Sequence, residues 1–153
     1  PIRNEDVALD EQLREAALNI AVFDAFIDND DRKASNPNCL QDASSVPRLV
    51  AIDHDMAFQG LFLTVFGSRW PTDLLSQHVF TRRLGNKTPS AAPIRERVAT
   101  LSNEFLDGLP NAVPPQWLGS PNVAKLQTVI EKLKQRRDTI AEWFPAVEAW
   151  LDL

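Results

Sequence analysis

Apolar positions near the start of the chain recur with a helical period. Leu13, Ala17, Ile20, Asp24 and Ile27 share one stripe, with Ala16 and Phe23 beside it and Asp10 where an N-cap belongs. The spacing predicts a helix over 10–27. Asp24 interrupts the apolar stripe, and a carboxylate buried there requires a partner, such as Arg32 or a loop amide. The run "NDDRKASNPN" then ends the helix with turn-forming residues. Asn38-Cys39-Leu40 reads as a short strand, "QDASSVP" as a turn and "RLVAID" as a second strand, together a small antiparallel hairpin.

Beyond the hairpin the pattern is helix and loop. "AFQGLFLTVFG" is apolar without a clear period, and "PTDLLSQHVFTRRL" predicts a helix capped by Thr72. "SAAPIRERVATLSNEFLDGL" predicts a helix with Ser90 as cap, Pro93 in the first turn and Ile94, Val98, Leu101 and Phe105 on one face. Pro110, Pro114 and Pro115 mark a loop. "SPNVAKLQTVIEKLKQRRDTIAEWF" predicts a long helix with Ser120 at the N-cap and Pro121 at the first position. Its stripe is Val123, Leu126, Ile130, Leu133, Arg137, Ile140 and Phe144, and "KLKQRR" reads as its solvated face. "PAVEAWLDL" closes the chain as a separate segment. The fold class expected is mainly α with a small β-hairpin, one domain over residues 1–153.

Composition narrows the function. A net charge of −5 and a pI near 5.0 predict neither direct nucleic-acid binding nor attachment to a membrane surface. No apolar run is long enough to span a bilayer. Cys39 is the sole cysteine, so no intrachain disulfide forms, and the polar N-terminus does not read as a secretory signal. These features predict a cytoplasmic protein. Cys39 is expected as a small buried apolar residue, and Trp70, Trp117, Trp143 and Trp150 as packing residues.

The polar loop and the strand end carry the candidate chemistry. Phosphoryl transfer needs a carboxylate to receive or orient the attacking hydroxyl. It also needs a carboxamide and a second carboxylate to hold magnesium against nucleotide phosphates. Asp31 and Asn36 stand five residues apart, and Asp53 follows 17 residues after Asn36 at the end of the second strand. The loop composition alone favours a turn whose Asp and Asn side chains satisfy backbone donors over a catalytic role. Asp55 competes with Asp53 as a metal ligand. His54 reads as a hydrogen-bonding spacer, because the only other histidine, His78, lies in a predicted helix with no ligand partner at metal spacing.

"FDAFIDNDDRKASNPNCL", followed by "RLVAIDHDMAF", resembles the catalytic segment of the HipA-like serine/threonine kinases. That segment reads F-D-x-W-I-x-N-x-D-R-x-x-x-N-P-N-L-L, then a strand and I-D-H-x-x-A-F. Phe26 replaces the usual tryptophan and Cys39 a usual leucine. "PPQWL" ahead of a long helix is similar to the family's C-terminal end. The resemblance implies the C-terminal lobe of a protein-kinase-like fold, using ATP and Mg²⁺. It implies Asp31 as the catalytic base and Asn36 and Asp53 as metal ligands, with His54 beside the cofactor. Asn29, Arg32 and Asn38 would shape the loop behind them. The partners implied are a nucleotide and a hydroxyl-bearing protein substrate, with an antitoxin-type partner as in some family members.

The 30 residues ahead of Asp31 contain neither lysine nor glycine, and no glycine-rich phosphate loop occurs. The expectation is therefore a lobe cut from a longer kinase, or one meeting its nucleotide-covering N-terminal lobe in trans, and inactive alone. The alternatives are a binding or regulatory module that keeps the lobe's shape without catalysis, and a helical structural protein with a chance Asp/Asn loop.

Overall fold

The computed structural model describes residues 11–42, 48–58, 77–81, 90–117 and 119–151. Helix α1 (Glu11–Ile27) precedes strands β1 (Cys39–Asp42) and β2 (Arg48–Ala51). Four helices follow: α2 (Ala92–Ala99), α3 (Asn103–Gly108), α4 (Ser120–Asp138) and α5 (Ile140–Leu151). Short 3₁₀ turns at Leu109–Ala112 and Pro115–Trp117 bridge α3 to α4. Among the described residues the chain is mainly helical, with one two-stranded antiparallel hairpin. Asp10, Trp70, the Thr72 cap and most of the two segments predicted between Gln59 and Leu84 lie outside the described residues.

Helix α1 forms the centre. Ala17, Ala21 and Ala25 recur every four residues and are fully buried, so their small side chains let neighbouring elements approach closely. Helices α4 and α5 and strand β2 pack against α1, and α2 packs on α4 and α5. Leu18, Val22, Ile130, Leu133, Trp143 and Phe144 fill the space between them. Each large apolar side chain so buried contributes about 1.5–3 kcal/mol.

Three predicted boundaries shift, each for a local reason. The helix predicted through 90–109 breaks after Ala99. Thr100 Oγ1 donates to the Glu96 carbonyl at 2.8 Å, and Ser102 Oγ accepts from Phe105 N–H at 3.0 Å, capping α3 as a new helix. This turns Leu106 inward and leaves Phe105 outside. Ser90 does bind the N-terminus of α2, accepting from Ala92 N–H at 3.2 Å, although Ala91 holds the cap position.

The last long helix begins one residue earlier than predicted, with Gly119 at the cap, and ends at Asp138. Thr139 Oγ1 bonds back to the Gln135 carbonyl at 2.9 Å, and Trp143 Nε1 donates to the Arg136 carbonyl at 2.8 Å. Helix α5 then runs through Pro145 instead of restarting there. An interior proline costs roughly 3 kcal/mol. Burial of Ile140, Trp143, Phe144, Val147 and Leu151 on one face outweighs it. The "KLKQRR" face is not wholly solvated: Arg136 and Arg137 fold inward, Arg137 Nη1 reaching the Leu101 carbonyl at 2.7 Å. Val123, predicted on the apolar stripe, is exposed.

Candidate active site

The site starts where α1 stops. The last four carbonyls of a helix have no partner inside it, and here all four are bound from elsewhere. Asn29 N–H closes on the Asp24 carbonyl at 2.9 Å around Asp28, whose φ of 60° is the left-handed turn that aspartate tolerates better than most residues. Arg136 Nη1 reaches from α4 to the Ala25 and Phe26 carbonyls at 2.7 and 3.0 Å, while Nη2 pairs with Asp28 Oδ1 at 3.0 Å. Phe58 N–H takes the Ile27 carbonyl at 2.9 Å. This termination aims residues 29–36 across the mouth of the hairpin.

Asp24 is the buried anchor of that loop. Oδ1 accepts from Asn29 Nδ2 at 2.9 Å and Arg32 Nη2 at 3.3 Å; Oδ2 accepts from Arg32 Nε and from His78 Nε2 at 3.0 Å. Burial pushes the Asp24 carboxyl up, but the hydrogen bonds from His78, Arg32 and Asn29 outweigh it and hold the group below its ordinary value. Arg32 Nη1 extends to the Asn38 carbonyl and to the Ile52 carbonyl at 3.3 Å. Its Nη2 lies 3.1 Å from His54 Nε2, and because guanidinium only donates, that nitrogen is the acceptor. One buried cation thus joins the end of α1, the loop and the end of β2.

The carboxylates stand in front of this anchor. Lys33 and Asn36 exchange backbone hydrogen bonds at 3.1 and 3.0 Å, a tight reversal that folds Asn36 back over Asp31. Asn36 Nδ2 and Asn38 Nδ2 donate to Asp31 Oδ2 at 3.0 and 2.8 Å. β1 pairs with β2 in the register Cys39↔Ala51 and Leu40↔Val50. Ile52 N–H then bonds the Asn38 carbonyl at 2.9 Å, and Asp53 leaves the strand with φ of 56°. Asp31, Asp53 and Asp55 each offer an oxygen within 4.8 Å of the others. Asp53 Oδ1 accepts from Asp55 N–H at 3.5 Å. The hydrogen bond and negative charge of Asp53 raise the Asp55 carboxyl above its ordinary value.

A family model described as HipA-like kinase matches residues 5–144. The chain belongs to the HipA-like kinase family. No curated protein and no solved structure matches it.

In this HipA-like chain the fold gathers the residues that the sequence motif singles out. Asp31, Asn36 and Asp53 meet at one rim, with Asp55 as a third carboxylate. Asn29, Arg32, Asn38 and His54 lie directly behind them. The expected partners of Asp24, an arginine and a loop amide, are both present. Cys39 is buried, and burial pushes its thiol above the ordinary value, away from a reactive thiolate.

Two contributors escaped the sequence reading. His78 is not helical. It forms an isolated bridge with Lys33, and its ring closes on Asp24 across 54 residues. Arg136 is assigned to solvent by its helical period, yet it caps α1. A mixed apolar and basic segment supplied no local signal for either contact. A buried aspartate with several donors to recruit was the one hint that more partners were needed.

Proposed function

We propose that this HipA-like chain is the C-terminal catalytic lobe of a serine/threonine kinase. It would transfer the γ-phosphoryl group of ATP to a hydroxyl on a protein substrate in the cytoplasm. A separate N-terminal lobe would cover the nucleotide, and the chain alone would be inactive. The observation that carries the reading is the meeting of the Asp31, Asp53 and Asp55 oxygens within 4.8 Å beside the Asn36 carboxamide. Hard oxygen donors in that number suit Mg²⁺. Such clustered carboxylates repel one another, as the raised Asp55 carboxyl reflects, and a divalent cation offsets that repulsion.

Asn36 and Asp53 are the residues that would hold the metal, Asn36 through the carboxamide oxygen left over once Nδ2 has bonded Asp31. Bound there, Mg²⁺ would neutralise charge on the nucleotide phosphates. Asp31 acts as the base. Both amide donors fall on Oδ2, which orients the carboxylate and leaves Oδ1 to face an incoming hydroxyl. As the hydroxyl oxygen attacks phosphorus, its proton passes to Asp31 and ADP departs. Asn29 and Arg32 hold the loop against α1, Asn38 orients Asp31, and His54 fills the space between Arg32 and the cofactor side.

A Mn²⁺ or Mg²⁺ titration followed by thermal shift tests the reading. Wild type should rise in melting temperature with added metal, and Asn36→Ala or Asp53→Ala should lose the response. A wild-type chain indifferent to both cations would favour a non-catalytic module.

A further inference from the structure

We infer that His78 is a positioning residue for the Asp31–Asp53 site, acting through Asp24 and Arg32. This rests on the reading of that site as the place where a divalent cation is held.

His78 is 5% exposed and belongs to no helix or strand. Both ring nitrogens are engaged. Nε2 lies 3.0 Å from Asp24 Oδ2, and a carboxylate only accepts, so Nε2 carries the proton. Phe80 N–H donates to Nδ1 at 3.3 Å, which requires that nitrogen bare. The backbone around the ring is held as well, by the bridge to Lys33 and by Val79 N–H on the Arg32 carbonyl at 2.9 Å. The segment 77–81 therefore grips residues 32 and 33 by its backbone and Asp24 by its side chain.

The consequence reaches the rim through Asp24 Oδ2, which His78 shares with Arg32 Nε. Turning that carboxylate would release the guanidinium, whose Nη1 ties the Asn38 carbonyl to the Ile52 carbonyl. Asn38 orients Asp31 at 2.8 Å, and Ile52 immediately precedes Asp53. The spacing of the two carboxylates thus depends on where Asp24 points. A merely packed histidine would matter to stability alone. A positioning histidine also sets metal affinity, and glutamine, whose amide can place an N–H near the Nε2 position, should substitute for it.

Mn²⁺ binding measured by electron paramagnetic resonance on the 153-residue chain provides the test, read together with the Arg32 Nε–H resonance in ¹⁵N NMR. His78→Ala should bind Mn²⁺ about 10–100-fold more weakly, the range typical for partners behind metal ligands. It should also lose the slowly exchanging Arg32 Nε–H signal, and His78→Gln should restore both. Wild-type affinity in a folded His78→Ala, or a glutamine variant no better than alanine, overturns the inference. If wild type itself binds no Mn²⁺, the metal reading fails, and the Arg32 signal decides His78 separately: lost in alanine and regained in glutamine supports it, unchanged in alanine ends it. Should the alanine variant not fold, His78→Asn replaces it, because its amide reaches the Nδ1 position instead. Equal binding by the asparagine and glutamine variants then overturns the role.

Discussion

The anchor behind the loop and the rim in front of it contain the same residue type in opposite states. Asp24 is buried and receives donors on both oxygens. Asp31, Asp53 and Asp55 stand at the surface, close to one another, with amide donors to Asp31 and a long backbone contact to Asp53. One carboxylate is stabilised in its charged form by its neighbours, while Asp55 is destabilised by its own. The difference teaches that the two regions serve different ends. Satisfied charge in the interior fixes geometry, and the clustered charge at the rim is what the proposed function would use to hold a cation.

The largest effect should come from breaking the anchor. Asp24→Ala leaves Arg32 buried without its counter-charge, which costs about 3–5 kcal/mol; urea unfolding should register the loss, and a change below about 1 kcal/mol would remove the distinction between the regions. The pH dependence sharpens the same point. Because the folded Asp24 carboxyl titrates below its unfolded value, its contribution is whole above the ordinary carboxylate range and disappears as pH falls through the folded pKa. Acid titration of stability in Asp24→Asn should lack that segment of the curve.

At the rim, if the proposed function holds, Asp31→Asn assayed together with the proposed N-terminal lobe should lower phosphoryl transfer by roughly 10²–10⁴-fold. Stability should stay within about 1 kcal/mol, since the carboxamide oxygen of the new side chain can still accept from Asn36 and Asn38 Nδ2. Measured turnover equal to wild type would end the role of Asp31 as base. A control away from both regions is Ser102→Ala, which removes the cap of α3 and should cost about 1 kcal/mol in thermal or urea unfolding. The smallest effect expected is a slight gain in stability for Asp55→Asn at neutral pH. Its raised carboxyl favours the fold only while protonated, and that advantage is lost as pH rises through the folded pKa. The gain should vanish in saturating Mg²⁺; a loss of stability without metal would show that Asp55 is not repelled.

Legibility followed the range of the interactions. The helical period of α1, the turn formers after it and the two short strands are local features, and the hairpin lies within two residues of its predicted ends. Helix continuity was less legible. Thr100, Ser102 and Thr139 break predicted helices by bonding backbone groups, but such residues sit inside many unbroken helices, so their effect depends on packing. Pro145 misled in the other direction, because burial of the α5 face outweighed the lost hydrogen bond.

By itself the sequence determined the order of elements, the residues gathered at the rim and the family, because a short motif places Asp31, Asn36 and Asp53 on one loop and one strand end. Tertiary structure alone decided what stands behind them. His78 and Arg136 reach the end of α1 from 54 and 111 residues away, and a donor's choice of carbonyl or carboxylate at that separation is set by packing. Buried polar groups must be paired, but the pattern along the chain says only that a partner is needed, not which distant residue the fold will deliver.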